Sequence, residues 1–298
     1  MAGRGATLAG RLSRAGVADV DRAERLLADA DLGAVLPDGP DELVGALADI
    51  ADPDEALLTL TKLAAAVRGH DELVGLLAGA LADEGPARDR LLRVAGASIA
   101  LGQTLVAHPE TLRVVLDETP GTGVDVREVR AELLRAVGAD PHAVTPVATV
   151  TGAAGIDAMR RAYRARLLRV AATDLVAPDP LSRMPGVAAA LADLAGAALE
   201  AGLALARAEQ PDGGAGVRLA VIGMGKGGGR ELNYVSDVDV VYVVEPAEGT
   251  SEADALAVGA RLATGLARAC STPSGEPALW PVDAALRPEG KDGPLVRT

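Results

Sequence analysis

The sequence predicts an α+β chain, with an all-helical N-terminal region over residues 1–212 and a smaller α/β core over residues 213–298. Three observations carry that expectation. Upstream, apolar residues recur at three- and four-residue spacing, as in helices buried along one face. At residues 211–216 the run PDGGAG crowds proline, aspartate and glycine into a turn-rich linker. Beyond it, β-branched runs alternate with a helical pattern, which is how an α/β core is written.

In chain order, helices are expected at residues 20–36 and 41–50. A further helix is marked by Leu57, Leu60, Leu63 and Val67, opened by Asp52-Pro53-Asp54-Glu55. Others follow at 71–82, 87–106, 126–137 and 156–172, and no solenoid period is evident. The alanine-rich stretch 187–208 is interrupted by Asp193, Glu200 and Arg207, one heptad apart on one face. It reads as a soluble amphipathic helix rather than a membrane span. After the linker come a strand at 217–222, a short helix from Gly228, a strand at 238–244, a helix at 252–269 and a strand at 278–286.

The chemistry concentrates in residues 218–245, RLAVIGMGKGGGRELNYVSDVDVVYVVE. A strand alternates its side chains, so Asp237 and Asp239 point to the same face, about 7 Å apart. Their mutual repulsion is roughly 2 kcal/mol at an effective dielectric near 20. A divalent cation between them offsets that cost, the arrangement used for displacement at phosphorus, and makes the pair a candidate Mg²⁺ platform. Upstream, Gly223, Gly225, Gly227, Gly228 and Gly229 let backbone approach a ligand closely, with Lys226 and Arg230 interleaved. A helix starting near Gly228 or Gly229 would turn free N–H groups toward the same space and bind phosphate.

Asp283 lies on the third expected strand, where it either completes a three-carboxylate site or is an ordinary strand-end aspartate. Arg287 and Lys291 follow, as phosphate contacts or as solvated loop charges. Asn233, Tyr234 and Ser236 either shape the turn into the strand or touch a nucleotide. Glu231 reads as a first-turn helix acid.

A rival reading uses the same glycines. Gly223, Gly225 and Gly228 spell G-x-G-x-x-G after a strand, with Glu245 about 20 residues on, as a dinucleotide-binding fingerprint requires. Against it, Gly229 to Asp237 leaves room for about two helical turns, short for a crossover helix. The strand that follows also opens on Asp237 and Asp239, where a buried parallel strand reads as continuous Val, Ile and Leu. A purely structural role for the glycines is the third possibility.

The run G-M-G-K-x-G-G-R-E-L-N-Y-V-S-D-V-D over residues 223–239 closely resembles the first catalytic core of the bifunctional glutamine synthetase adenylyltransferase/adenylyl-removing enzymes, a family within the DNA polymerase β-like nucleotidyltransferases. The resemblance extends to VDAALRPEG over 282–290, to GASIALG over 96–102 with His108-Pro109-Glu110, and to RRAYRARLLRVAATDL over 160–175. It covers most of the chain from Leu91 onward. One departure is Gly227, where the family usually carries a larger residue such as Leu.

The resemblance implies a polymerase β-like core, incomplete at the C-terminus, belonging to the adenylyl-removing half. It implies that Asp237, Asp239 and Asp283 hold Mg²⁺, and that Gly225, Lys226, Gly228, Gly229, Arg230, Ser236 and Arg287 meet nucleotide or phosphate. Implied too are glutamine synthetase as protein substrate, a PII-type signal protein as regulator, ATP, ADP and phosphate as small-molecule partners, and phosphorolysis of adenylylated tyrosine as the reaction. No second DxD core is present, so adenylylation is not assigned to these residues. A fragment ending at Thr298 is expected to bind nucleotide weakly and turn over poorly, because helices covering the core would lie beyond it. A dinucleotide-dependent oxidoreductase and a catalytically silent docking module remain as alternatives.

Composition fits a cytoplasmic protein. Hydrophobic residues make up 49% of 298 positions, enough for a real core. The single Cys270 excludes an internal disulfide and argues against a thiolate cluster. His70, His108 and His142 have no zinc-ligand spacing and read as surface or capping residues. A net charge of −13 argues against a nucleic-acid partner, which needs a basic surface. Residues 1–16 show no uninterrupted apolar core, so no signal peptide is expected.

Overall fold

The computed structural model describes residues 7–36, 39–82 and 84–298, the side chain of Lys291 excepted. Two compact units form: Met1–Gly121 with Leu168–Pro180, and Thr122–Leu167 with Leu181–Thr298. These units do not follow the linker at residues 211–216.

The first unit holds α1 (Leu8–Arg14), α2 (Val20–Leu27), α3 (Ala30–Ala34), α4 (Pro40–Ala46), α5 (Pro53–Val67), α6 (Asp71–Ala82), α7 (Pro86–Ala97), α8 (Ile99–Ala107) and α9 (Leu112–Leu116). At its centre, α5 packs against α2, α3, α7 and α8. The expected stripe is realised, with Leu57, Leu60, Leu63 and Val67 all fully buried. Asp52 caps α5 by accepting from Glu55 N at 2.9 Å, and Pro53 takes the first turn.

Two helices expected to be continuous are broken by caps. Asp29 accepts from Asp31 N and Leu32 N, dividing 20–36 into α2 and α3. Ser98 caps α8 and divides 87–106. Similarly, 41–50 becomes α4 followed by a 3₁₀ turn at Leu47–Asp49.

The second unit contains α10 (Val126–Ala136), most of α11 (Gly152–Asp174) and nearly all of α12 (Pro180–Ala208). Then come β1 (Val217–Gly223), the one-turn α13 (Gly225–Gly228), β2 (Val238–Pro246), α14 (Glu252–Ser271), β3 (Val282–Asp283) and β4 (Val296–Arg297). Strand β1 runs antiparallel to β2, with Gly223 opposite Val240 and Val217 opposite Pro246. On the other edge of β2, β3 and β4 both lie parallel to it, β3 beside Val238 and Asp239, β4 beside Tyr242 and Val243. This is an α+β architecture, a small mixed sheet preceded by a helical N-terminal region.

The pairing rejects the dinucleotide-binding reading. A βαβ fingerprint needs parallel strands and a covering helix, whereas β1 and β2 are antiparallel and joined by a four-residue helical turn. Glu245 instead pairs with Arg218 at 2.6 Å across the two strands.

Strand alternation gives the sheet two different faces. Val238, Val240, Tyr242 and Val244 are at most 2% exposed. Helix α14 lies on that face: a Cβ on Gly259 would come within 3.2 Å of Val244, so the helix approaches closely only because the residue is glycine. Helix α12 packs on α14 through Ala206, which a Cβ on Gly265 would meet at 2.7 Å. Helix α12 is long and apolar enough to cross a membrane, and 61% of its most apolar window is buried inside the protein. Its charges do not share a solvated face as expected, because Arg207 is only 8% exposed and donates to Pro146 O at 3.3 Å.

Candidate active site

On the opposite face of β2 stand Asp239, Val241 and Val243, with Asp237 just before the strand, none of them buried. Asp239 is the second residue of β2 and pairs in register with Asp283 of β3, so the two side chains share a face. Each of Asp237, Asp239 and Asp283 offers a carboxylate oxygen within 4.8 Å of the other two. The aspartates expected to converge do so.

The β3 strand is shorter than the expected 278–286. Pro277 and Pro281 lack an N–H for a ladder, and past Asp283 the chain turns, with Ala285 N donating to Asp283 Oδ1 at 2.6 Å. Pro281 O still accepts from Val238 N at 3.1 Å, fixing the register of the pair.

The glycine turn stands directly over this cluster. Gly225 has φ +52, and a Cβ there would meet Asp239 Oδ2 at 2.7 Å. Only glycine satisfies both constraints. Met224 N donates to Asp239 O at 2.8 Å, tying the turn to the strand. The helix begins at Gly225 rather than Gly228. Consequently the N–H groups of Gly228 and Gly229, expected to face a phosphate, donate to Met224 O at 2.9 Å and Gly225 O at 3.0 Å. The amides of Gly225, Lys226 and Gly227 are the ones a helix start leaves without an intrahelical acceptor.

The remaining expected contacts have protein partners. Lys226 Nζ donates to Asn233 Oδ1 at 3.1 Å, and Asn233 Nδ2 donates to Val235 O at 2.8 Å, so Asn233 does shape the turn. Arg230, at φ 57, reaches away to Asp193 of α12 at 2.6 Å. Arg287 donates to Ala284 O at 2.7 Å and Gly293 O at 3.2 Å, bracing its own loop. Ser236 Oγ lies 3.4 Å from Asp237 Oδ1. Lys291 falls outside the described side chains.

Three carboxylates converge here, and among the described residues none of them makes an ion pair. Ala285 N donates to Asp283 and Ser236 Oγ to Asp237, but no cationic side chain among the described residues offsets the repulsion among them. Their oxygens suit a hard divalent cation such as Mg²⁺ or Mn²⁺, and the missing Cβ at Gly225 keeps the space beside Asp239 clear. The donor set fits the group.

Sequence reading missed the apparatus that delivers Asp283. Its only signal was the arginine-rich run at 160–169, which carried no assigned role. Arg160, fully buried, spends its guanidinium on the carbonyls of Ala269, Thr272 and Glu276.

The sheet order and the carboxylate cluster beside a glycine turn define a nucleotidyltransferase-like protein. Comparison narrows the class: the family model for Glutamate-ammonia ligase adenylyltransferase matches residues 88–298, and the chain belongs to that family. It is 44% identical, over 99% of its length, to a bifunctional glutamine synthetase adenylyltransferase/adenylyl-removing enzyme of Streptomyces avermitilis. Proteins of the same name match from Cutibacterium acnes, 46% identical over 83% of the chain, and from Bifidobacterium longum subsp. infantis, 41% over 96%. The chain spans 27%, 24% and 27% of those three relatives.

Proposed function

We propose that this chain is the adenylyl-removing core of a bifunctional regulator of glutamine synthetase acting in the cytoplasm, under control of a PII-type signal protein. The observation that carries the reading is the convergence of Asp237, Asp239 and Asp283 within 4.8 Å on the open sheet face, beneath the Gly225 turn. The removing direction is supported by the resemblance of residues 223–239 to that family's first core.

The reaction is phosphorolysis. An oxygen of inorganic phosphate forms a bond to the phosphorus of the adenylylated tyrosine, the bond from that phosphorus to the tyrosine oxygen breaks, and ADP leaves while the tyrosine oxygen regains a proton. Bound Mg²⁺ would supply charge stabilisation at the attacking and leaving oxygens. The chain's own share is positioning. Asp239 and Asp283, held opposite each other by β2 and β3, would fix the cation, with Asp237 at the strand entrance. The amides of Gly225 to Gly227 would receive phosphate oxygens, and Lys226 needs only to leave Asn233 to add its charge. The open face admits a protein side chain from solvent.

The test uses Asp239→Asn in a protein of the relatives' full length. Phosphate-dependent ADP release from adenylylated glutamine synthetase should vanish, while ATP-dependent transfer of AMP to glutamine synthetase persists. Loss of the second reaction with retention of the first would assign this core to adenylylation. Retention of both would leave the chain a docking module.

A further inference from the structure

We infer that Arg164, working beside the buried Arg160, is a positioning residue that holds Asp283 against Asp237 and Asp239 and thereby sets the affinity of the carboxylate cluster for a divalent cation. This deepens, and rests on, the reading of the cluster as a cation site.

The need for such a residue follows from the local chain. Asp283 lies on a strand of two residues, at the end of the 272–281 segment that follows α14. So short a ladder fixes little by itself. Pro277 and Pro281 lack N–H groups, so apart from the bond from Leu279 N to Cys270 O at 2.9 Å their stretch of the segment offers mainly carbonyls to be gripped. Arginine suits that task, since its guanidinium has five donors in a planar fork and no acceptor.

Helix α11 supplies the grip. Arg160 donates to Ala269 O and Thr272 O where α14 ends, and to Glu276 O at 2.8 Å. One turn later Arg164 donates to Pro277 O at 2.5 Å and Ala278 O at 3.0 Å. From the same helix Asp157 accepts from Glu276 N at 2.8 Å, and a Cβ on Gly275 would intrude to 2.6 Å of its carboxylate. Trp280 Nε1 donates to Tyr163 Oη at 3.1 Å, with the rings edge to face at 6.4 Å. Pro281 O and Val282 then dock on β2, and Asp283 arrives opposite Asp239. The arginine grip and the cluster are thus the two ends of one segment, pinned between them by Leu279 N on Cys270 O and by Trp280 on Tyr163.

Arg164 is the residue to change, because Arg160 is fully buried and also anchors the end of α14. The purified 298-residue chain would be titrated with Mn²⁺ and the free ion followed by electron paramagnetic resonance, in wild type, Arg164→Met, Arg164→Lys, Asp283→Asn and the Arg164→Met/Asp283→Asn double variant. Loss of outer partners of metal ligands typically weakens binding about 10- to 100-fold. Since Arg164 acts through backbone, the expected loss in Arg164→Met is near the lower bound, about tenfold, with a smaller loss in Arg164→Lys.

In the Asp283→Asn background, Arg164→Met should add nothing, because the two act on one linkage. The fluorescence of Trp280, the only tryptophan, should shift in Arg164→Met without a matching shift in global melting. Wild-type affinity in both Arg164 variants would overturn the inference, as would an equal loss with and without Asp283. Absence of Mn²⁺ binding in the wild type would instead defeat the cation-site reading itself.

Discussion

Gly225 carries two demands that no other residue meets together, a left-handed backbone at φ +52 and a carboxylate oxygen 2.7 Å from where a Cβ would stand. Gly225→Ala should therefore cost about 1–2 kcal/mol in backbone strain and push the Asp239 carboxylate out of the cluster. The expected result is a lower denaturation midpoint together with Mn²⁺ affinity weakened at least about tenfold; a variant that binds Mn²⁺ as wild type does would show that the turn does not set the site. Asp237→Asn behaves differently, because it removes one of three repelling charges along with a ligand. Its melting temperature should equal or exceed that of wild type while Mn²⁺ binding is lost, and a large drop in melting temperature would contradict the account. Cys270 tests burial at the end of α14. Desolvation pushes its thiol up to about 12, opposed by the charge of Arg160. The folded state therefore disfavours the thiolate, and the resulting stability is present below the ordinary cysteine pKa and lost as pH rises from there toward 12. Native protein at pH 8.5 should resist alkylation at Cys270, and unfolded protein should react; rapid native labelling would refute that burial.

At the scale of elements, the helical stripe Leu57, Leu60, Leu63 and Val67 was legible because its spacing repeats over a full α5 with a cap and proline at its start. The breaks at Asp29 and Ser98 were not, since a capping residue inside an apolar pattern looks like a polar position on a continuous helix. Close approach between helices was equally invisible. A Cβ on Gly96 of α7 would meet Ile50 Cγ2 at 2.2 Å and Asp52 O at 2.8 Å. Nothing in the sequence says which glycine is there for packing. Gly96→Ala should overpack this contact and destabilise the chain by about 2 kcal/mol or more, read as a lower urea midpoint with unchanged slope. A neutral effect would mean that α7 is free to shift away from α5.

Over the whole molecule, the candidate site was more legible than the framework around it. Asp237 and Asp239 declare themselves by an i,i+2 spacing on a strand, and the period of two is sufficient to place them on one face. Asp283 could be placed only by the family resemblance, because its partner strand has two residues and its position depends on arginines 119 and 123 positions upstream, Arg164 and Arg160. Gly228, Gly229, Arg230 and Arg287 were drawn toward a ligand by their chemistry and by the family resemblance, yet the structure spends them on Met224, Gly225, Asp193, Ala284 and Gly293. Local composition nominates groups for a site, and long-range packing decides which of them remain available. The central claim is that Asp237, Asp239 and Asp283 form one divalent-cation site. Crystals soaked in Mn²⁺ and measured at an anomalous wavelength test it most directly. The account predicts a strong anomalous peak with carboxylate oxygens of all three aspartates close enough to ligate one ion or a bridged pair of ions. A peak that leaves Asp283 without a role, or no peak at the cluster while Mn²⁺ orders elsewhere on the protein, would contradict it.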